Sequence, residues 1–221
     1  MEYQRTLSRV ESYFDDSATE VWARLTSDAP VSKIRATVRA GRDEMRARLI
    51  GALPKDLQGL RILDAGCGTG QMACELAERG AIVHGVDISP ALIGIAQARC
   101  PAHLADHVSF FSGDLRDVTQ TFDAVVAMDS LIYYRQPDLI DVLGGLAQRA
   151  PQILYTVAPR TPLLMTMWHT GKLFPRSDRA PVMTPQAPAR LIHAWDRGGE
   201  MRDLGRVARG FYISQAMEVQ V

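Results

Sequence analysis

Cysteine is scarce in this sequence of 221 residues, which contains only Cys67, Cys74 and Cys100. Their positions give no C-x-x-C spacing, and none is paired with a nearby histidine in the way that zinc ligands usually are. Three cysteines are also too few for the disulfide framework of a small secreted domain. We therefore predict neither a disulfide scaffold nor a protein-bound metal.

An excess of one charge is also missing, since 25 basic residues balance 25 acidic ones. A neutral chain has no overall attraction to nucleic acid or to an anionic membrane, so we expect no nucleic-acid partner. Lysine is rare as well: three of the 25 basic residues are lysine, which leaves 22 arginines. Arginine suits bidentate contacts with carboxylates, although a genome rich in G and C produces the same bias.

The sequence has no signal peptide and no apolar run long enough to cross a bilayer. With 47% hydrophobic residues, a chain of this length can bury a full core. We predict a cytoplasmic protein, with attachment to a membrane through partners left open.

A glycine-rich loop, residues 64–70, has the sequence Asp-Ala-Gly-Cys-Gly-Thr-Gly and lies between a predicted strand and a predicted helix. Glycine allows a sharp turn there and the close approach of a ligand. The dinucleotide fingerprint G-x-G-x-x-G/A requires a small residue at position 71, where Gln71 stands. The spacing G-x-G-x-G after an acidic residue instead resembles the first motif of class I S-adenosylmethionine-dependent methyltransferases.

Further acidic residues follow the next predicted strands. A carboxylate after the second strand, Asp87, is placed to accept hydrogen bonds from ribose hydroxyls. The methyltransferase pattern implies that Asp114, after the third strand, binds the adenine amine. The residues that we assign to the cofactor are Asp64, Gly66, Gly68, Gly70, Asp87, Ile88, Asp114, Leu115, Met128 and Asp129.

Strands and helices alternate from about residue 60 to residue 157, which predicts an α/β fold with a doubly wound, mostly parallel sheet. Two further strands, 201–209 and 210–219, would close a seven-stranded, Rossmann-like sheet of the class I methyltransferase type. We divide the chain into a helical N-terminal arm (1–55) and a methyltransferase domain (56–221). Near 158–188 the domain carries a proline-rich insertion, and a last helix is expected over 184–195.

The arm contains parallel apolar and basic stripes; the basic one comprises Arg35, Arg39, Arg42 and Arg46. It is either an ordinary solvated helix face or a basic lip that attracts a substrate with carboxylates.

The loop after the fourth strand lacks the [N/D]-P-P-[Y/F] motif of many amine methyltransferases, because it reads Met128-Asp129-Ser130-Leu131. An oxygen, carboxylate or carbon acceptor on a small molecule remains.

Nearly the whole chain resembles the magnesium-protoporphyrin IX methyltransferases of (bacterio)chlorophyll biosynthesis. The segments that carry the resemblance are Tyr13-Phe14 with Trp22, residues 38–41, 64–68, 87–89, 129–134, 158–161, 173–175 and 211–214. Two positions depart from the family pattern: Tyr133 stands where relatives have histidine, and Thr26 where they tend to have tyrosine.

The resemblance implies methyl transfer from S-adenosylmethionine to one propionate of the porphyrin, with magnesium present only as part of the substrate. Tyr133 and Tyr134 would orient the carboxylate, while Tyr13, Arg39, Trp168 and His169 would contact the porphyrin. It also implies contact with magnesium chelatase and a location at the photosynthetic membrane. Two alternatives stay open at this point: a methyltransferase for another small molecule such as a quinone or polyketide, and a non-catalytic protein that binds both ligands.

Overall fold

The computed structural model describes residues 2–15, 19–27, 29–161 and 181–221. Its centre is one seven-stranded sheet with strand order β3-β2-β1-β4-β5-β7-β6. The strands are β1 (Arg61–Ala65), β2 (Ile82–Asp87), β3 (Val108–Ser112), β4 (Ala124–Ala127), β5 (Gln152–Val157), β6 (Glu200–Arg209) and β7 (Tyr212–Gln220). The first five strands run parallel to one another, and β7 runs antiparallel to both β5 and β6. The predicted doubly wound, mostly parallel sheet and its closing hairpin are thus confirmed.

Helices cover both faces of the sheet. The described ones are α1 (Glu2–Tyr13), α2 (Thr19–Leu25), α3 (Lys33–Ala52), α4 (Gln71–Glu78), α5 (Pro90–Arg99), α6 (Gln136–Ala147) and α7 (Pro188–Ala194). Because helices lie on both sides, every residue of β4 is buried, as is typical of a parallel sheet. Helix α5 begins where the sequence favours it, with the Ser89 hydroxyl accepting the Leu92 amide and with Pro90 in the first turn.

The two largest of three buried apolar clusters lie on opposite sides of the sheet. One joins Met45 and Leu49 of α3 to Ile62 and Leu76, so this helix of the predicted arm packs into the main core. The other joins Leu139 and Leu143 of α6 to Leu63 and Tyr155. Helix α3 also approaches β7 closely, because a Cβ on Gly41 would lie 2.6 Å from Cδ1 of Tyr212.

The last helix begins at Pro188, later than the predicted start at residue 184. The preceding residues are extended because their backbone pairs elsewhere: the Gln186 amide donates to Ala158 O and the Thr184 amide to Ile132 O. Proline at the first helical position then suits the helix start. Most of the predicted insertion, with Trp168 and His169, lies outside the described residues.

No helix in the described part of the chain has the length and hydropathy needed to span a membrane.

Candidate active site

The glycine-rich loop links the carboxyl end of β1 to α4, at the edge of the sheet where ligands bind in this fold class. The amides of Gly66 and Cys67 both donate to Val86 O, at 2.7 and 3.1 Å, which ties the loop to β2. Gly66, Gly68 and Gly70 have φ values of 82°, 52° and 81°, a left-handed backbone that glycine adopts without strain. The loop therefore depends on its three glycines.

Gly66→Ala tests the loop most directly. A Cβ at this position would lie 2.1 Å from the Ser130 Cβ, whereas a Cβ on Gly68 meets no atom within 4 Å. The left-handed backbone alone costs a non-glycine residue roughly 1–2 kcal/mol, and the clash adds to that at position 66. We expect Gly66→Ala to lower the free energy of unfolding by about 3 kcal/mol or more, and Gly68→Ala by about 1–2 kcal/mol. Equal losses in urea denaturation would contradict this account of the loop.

Asp87, the last residue of β2, is buried and holds two backbone segments. Its Oδ2 accepts the Gly68 amide at 2.9 Å, and its Oδ1 accepts the Ser89 amide at 3.0 Å. Burial raises the pKa of the Asp87 carboxyl, while these amide hydrogen bonds favour its charged form. One carboxylate thus joins the glycine-rich loop to the start of α5.

Asp64 is the most deeply buried acid near the loop, with 2% of its surface exposed. Its Oδ2 has no hydrogen-bond partner among the described residues, although the residue lines the cavity beside the loop. Burial, with a smaller contribution from Asp87, raises the pKa of its carboxyl to about 7. A buried carboxylate oxygen without a partner, on a residue that lines a cavity, fits a cationic or hydrogen-bond-donating ligand.

The arm supplies the opposite wall of this cavity. Leu7, Val10, Phe14, Trp22 and Thr26 all line it. The Thr69 hydroxyl of the glycine-rich loop donates to the Thr26 hydroxyl at 2.8 Å, which ties the arm to the loop. The arm residues therefore close the cavity from the side opposite the sheet.

Asp114 is occupied by the arm. The Tyr3 hydroxyl donates to its Oδ1 at 2.5 Å, and the Tyr3 ring stacks on Tyr134 with centroids 5.0 Å apart. The Arg116 guanidinium lies over the other face of Tyr3, 3.4 Å from the ring centre. Gly113 and Leu115 line the cavity on either side of Asp114. The carboxylate that the sequence assigns to the adenine amine is thus bonded to a tyrosine here.

Arg39 and Tyr13 contribute to the arm's own structure. The Arg39 guanidinium donates to Leu25 O at 3.0 Å, Arg24 O at 3.0 Å and Ala29 O at 2.9 Å, so it fixes the turn between α2 and α3. The Tyr13 ring packs edge-on against Phe14 at 5.2 Å. Neither residue lies among the described side chains that line the cavity, so substrate contact by either one stays a prediction.

Asp129 follows β4. Its φ is 57°, and among the described residues no other non-glycine residue has a positive φ. Aspartate tolerates this conformation better than most residues. Its carboxylate accepts hydrogen bonds from Arg42 Nη1 at 2.5 Å, from the Tyr212 hydroxyl at 3.0 Å and from the Thr156 hydroxyl at 3.2 Å. Both oxygens are therefore engaged by protein groups.

The cavity brings together most of the predicted site residues. Those that line it are Asp64, Gly66, Gly68, Asp87, Ile88, Leu115, Met128, Asp129, Tyr133 and Tyr134. Gly70 lies behind the loop instead, because a Cβ there would meet Phe110 and Ala96. Arg42 and Arg46 also line the cavity. The sequence placed them in a basic stripe whose role stayed open, and only Arg39 of that stripe was assigned to the site. Their place in the basic stripe of α3, one and two turns from Arg39, was the available signal.

The comparisons with known proteins agree over nearly the full length of the chain. A family model described as "Magnesium-protoporphyrin IX methyltransferase C-terminus" matches residues 127–221, and one described as "Methyltransferase domain" matches residues 62–149. The chain is 55% identical over 221 residues to the magnesium-protoporphyrin O-methyltransferase of Rhodobacter capsulatus, covering 98% of this chain and 97% of that one. It is 30% identical to the Synechocystis enzyme of the same name, covering 95% and 94% of the two chains.

A solved structure has the same fold. The crystal structure of magnesium protoporphyrin IX methyltransferase from Synechocystis PCC 6803 with bound SAH matches with a TM-score of 0.81 and 29% identity, covering 97% of this chain and 99% of that one. Agreement of both sequence and fold over nearly the full length shows that this chain belongs to the magnesium-protoporphyrin O-methyltransferase family.

Proposed function

We propose that this chain transfers a methyl group from S-adenosylmethionine to a propionate carboxylate of magnesium-protoporphyrin IX, forming the monomethyl ester. The observation that carries the proposal is one cavity that joins the glycine-rich loop and its acids to an aromatic and cationic wall. The names of the two O-methyltransferase relatives and the SAH in the solved relative support the choice of substrates.

The residues at the loop suit S-adenosylmethionine. We assign Asp87 to the ribose hydroxyls and the open oxygen of Asp64 to the cationic end of the cofactor, since both carboxylates are buried at the cavity. Gly68 lines the cavity, and a Cβ there would meet no protein atom within 4 Å. The missing side chain leaves that space to the cofactor. When bound, the cofactor supplies a sulfonium-activated methyl group: the new bond joins carboxylate oxygen to methyl carbon, the sulfur–methyl bond breaks, and S-adenosylhomocysteine leaves.

No strong base is required of the protein, because a propionate is already ionised at neutral pH. Among the described residues that line the cavity there is no histidine. Tyr133 and Tyr134 are both present, and burial raises the pKa of the Tyr134 hydroxyl to about 12 and that of Tyr133 well above its usual value. Both hydroxyls therefore stay protonated and act as hydrogen-bond donors that orient the carboxylate.

The arm supplies the other requirement, which is exclusion of water. Attack of a carboxylate on a sulfonium removes two opposite charges, so a dry site favours it. Leu7, Val10, Phe14 and Trp22 place apolar surface over the cavity.

We also propose that Tyr13, Arg39, Trp168 and His169 contact the porphyrin. Residues 1–55 then act as an arm over a methyltransferase domain of residues 56–221, which has its insertion near 158–188.

Two finer proposals follow from the substrate. Magnesium chelatase produces the magnesium porphyrin, so direct contact would pass this apolar molecule on without release into water. A peripheral position at the photosynthetic membrane would serve the same transfer. Large apolar side chains that are exposed on the surface, such as Ile34 at 56% and Phe211 at 66%, are available for such contacts.

Transfer of labelled methyl from S-adenosylmethionine tests the proposed function. Magnesium-protoporphyrin IX, metal-free protoporphyrin and a mixture of quinones serve as parallel acceptors. We expect a labelled monoester from the magnesium porphyrin and none from the other two. Label in the quinones alone would favour the alternative small-molecule methyltransferase, and tight cofactor binding without transfer to any acceptor would overturn the proposal.

A further inference from the structure

Arg42 of α3 lines the cavity, and two groups, a carboxylate and an aromatic ring, hold its guanidinium. Its Nη1 donates to Asp129 Oδ2 at 2.5 Å, and its guanidinium lies 4.8 Å from the centre of the Trp22 ring. Its side chain is 16% exposed, so the cation is largely removed from water. Stacking on an aromatic face while donating to a carboxylate is a combination that lysine does not reproduce.

Asp129 serves to position this guanidinium. Its Oδ1 accepts from the Tyr212 and Thr156 hydroxyls, and its amide donates to the Thr156 hydroxyl at 2.7 Å, so the carboxylate is fixed on the sheet. Arg42 then uses one of its three nitrogens for Asp129, and in the described part of the chain Nε and Nη2 have no hydrogen-bond partner. A guanidinium carries five N–H donors, so several remain for a ligand.

Arg46, the other arginine of the cavity, differs in this respect. Its Nε donates to Glu75 at 2.7 Å and its Nη2 to Asp43 at 2.9 Å, so two carboxylates already balance its single charge. Arg42 is thus the better partner for a carboxylate that enters the cavity.

We propose that Arg42 binds the propionate carboxylate that is not methylated, and that Asp129 positions Arg42 for this contact. The inference rests on the proposed function, because it assigns the second of the two propionates of that substrate. It makes Arg42 a determinant of substrate binding and of how many esters form.

The reaction chemistry decides which carboxylate Arg42 takes. The reacting carboxylate loses its negative charge as the oxygen–methyl bond forms, so a cation beside it would stabilise the ground state more than the transition state. The other carboxylate stays charged throughout, and a guanidinium on it contributes equally to both states. Arg42 therefore lowers KM through the spectator propionate without slowing the transfer step.

This assignment also explains a single methylation. To receive a second methyl group, the monoester would have to turn and present its neutral ester to Arg42. An ester carbonyl carries no charge, so it accepts hydrogen bonds from the free Nε and Nη2 of Arg42 more weakly than a carboxylate does. The monoester is thus a poorer substrate than the diacid, and the contact with Arg42 is the reason.

Arg42→Gln, Arg42→Lys and the control Lys33→Gln test the inference, since Lys33 is an exposed cation on the same helix. We expect Arg42→Gln to raise KM for magnesium-protoporphyrin IX about tenfold to a hundredfold, in line with loss of a charge-assisted hydrogen-bond pair, with kcat changed about threefold at most. Arg42→Lys should recover part of the loss, and Lys33→Gln should match the wild type. The ratio of kcat/KM for the diacid to that for its monomethyl ester should fall toward one in Arg42→Gln.

Binding provides a readout that does not depend on turnover. Porphyrin fluorescence with S-adenosylhomocysteine present gives Kd for the magnesium-protoporphyrin diacid and its dimethyl ester, and the wild-type preference for the diacid should vanish in Arg42→Gln. If that variant does not fold, Arg42→Lys carries the comparison. Diacid-selective wild-type binding without methyl transfer would overturn the proposed function alone. An unchanged preference in the folded variant, or a loss of kcat with KM intact, would overturn the role of Arg42.

Discussion

Replacing Asp87 with alanine is expected to raise the dissociation constant of S-adenosylmethionine about tenfold to a hundredfold. A hydrogen bond to a charged group contributes roughly 1.5–3 kcal/mol, and each 1.4 kcal/mol is a factor of ten in affinity. The substitution removes the proposed ribose contact and also frees the Gly68 and Ser89 amides that the carboxylate holds at 2.9 and 3.0 Å. Both the direct contact and the shape of the loop are lost together.

Isothermal titration with S-adenosylmethionine measures this effect, and Asp123→Ala is its matched control. The Asp123 Oδ2 also accepts a backbone amide, that of Arg61 at 2.8 Å, but it does so at the amino end of β1, away from the cavity. We expect Asp123→Ala to keep wild-type affinity. A folded Asp87→Ala protein that binds the cofactor as tightly as the wild type would remove Asp87 from the ribose role.

Deletion of residues 1–30 is expected to reduce methyl transfer to the porphyrin more than a hundredfold. The deletion removes the apolar wall formed by Leu7, Val10, Phe14 and Trp22, so water enters the site. It also removes the carbonyl partners of Arg39 and the Thr26–Thr69 hydrogen bond. Positioning and exclusion of water account for about 7–11 kcal/mol of a barrier in favourable cases, and a loss of 3 kcal/mol of it already gives more than a hundredfold.

Cofactor binding should survive this deletion in weakened form, because the glycine-rich loop, Asp64 and Asp87 all remain. Two neighbouring residues of α2 refine the test within the full-length chain. Trp22 lines the cavity and supports Arg42, whereas Val21 is 46% exposed. We expect Trp22→Ala to impair single-turnover transfer and Val21→Ala to leave it unchanged. Full activity in the deleted protein would show that the arm does not close the site.

The parallel sheet and its loops were predictable because their signals are local. A strand, a glycine-rich turn and a helix follow one another at residues 60–78. An acid lies at the carboxyl end of β1 and of β2, and another comes just after β3. The carboxyl ends of parallel strands meet at one edge, so sequence order alone brings Asp64 and Asp87 together. The closing hairpin was predictable for the same reason, since β6 and β7 are adjacent in the chain.

Contacts between distant segments could not be read in this way. Arg42 and Asp129 are 87 positions apart, and Tyr3 is 111 positions from the Asp114 that it bonds. Nothing in the basic stripe of α3 distinguishes Arg39, bonded to three carbonyls, from Arg42, held by a carboxylate. That distinction depends on how α3 is rotated against the sheet, and packing sets this rotation.

The close fit of Gly41 against Tyr212 links the last hairpin to the proposed choice of substrate. The Tyr212 ring fills the space that a side chain at position 41 would take, and its hydroxyl bonds the carboxylate that holds the next residue, Arg42. Substitutions at positions 41, 42, 129 and 212 will therefore combine non-additively, as residues in direct contact do. Engineering toward another acceptor should vary these four positions together in one library. A single substitution would be tested while the three contacting residues still fit the original side chain, so its effect would be misleading.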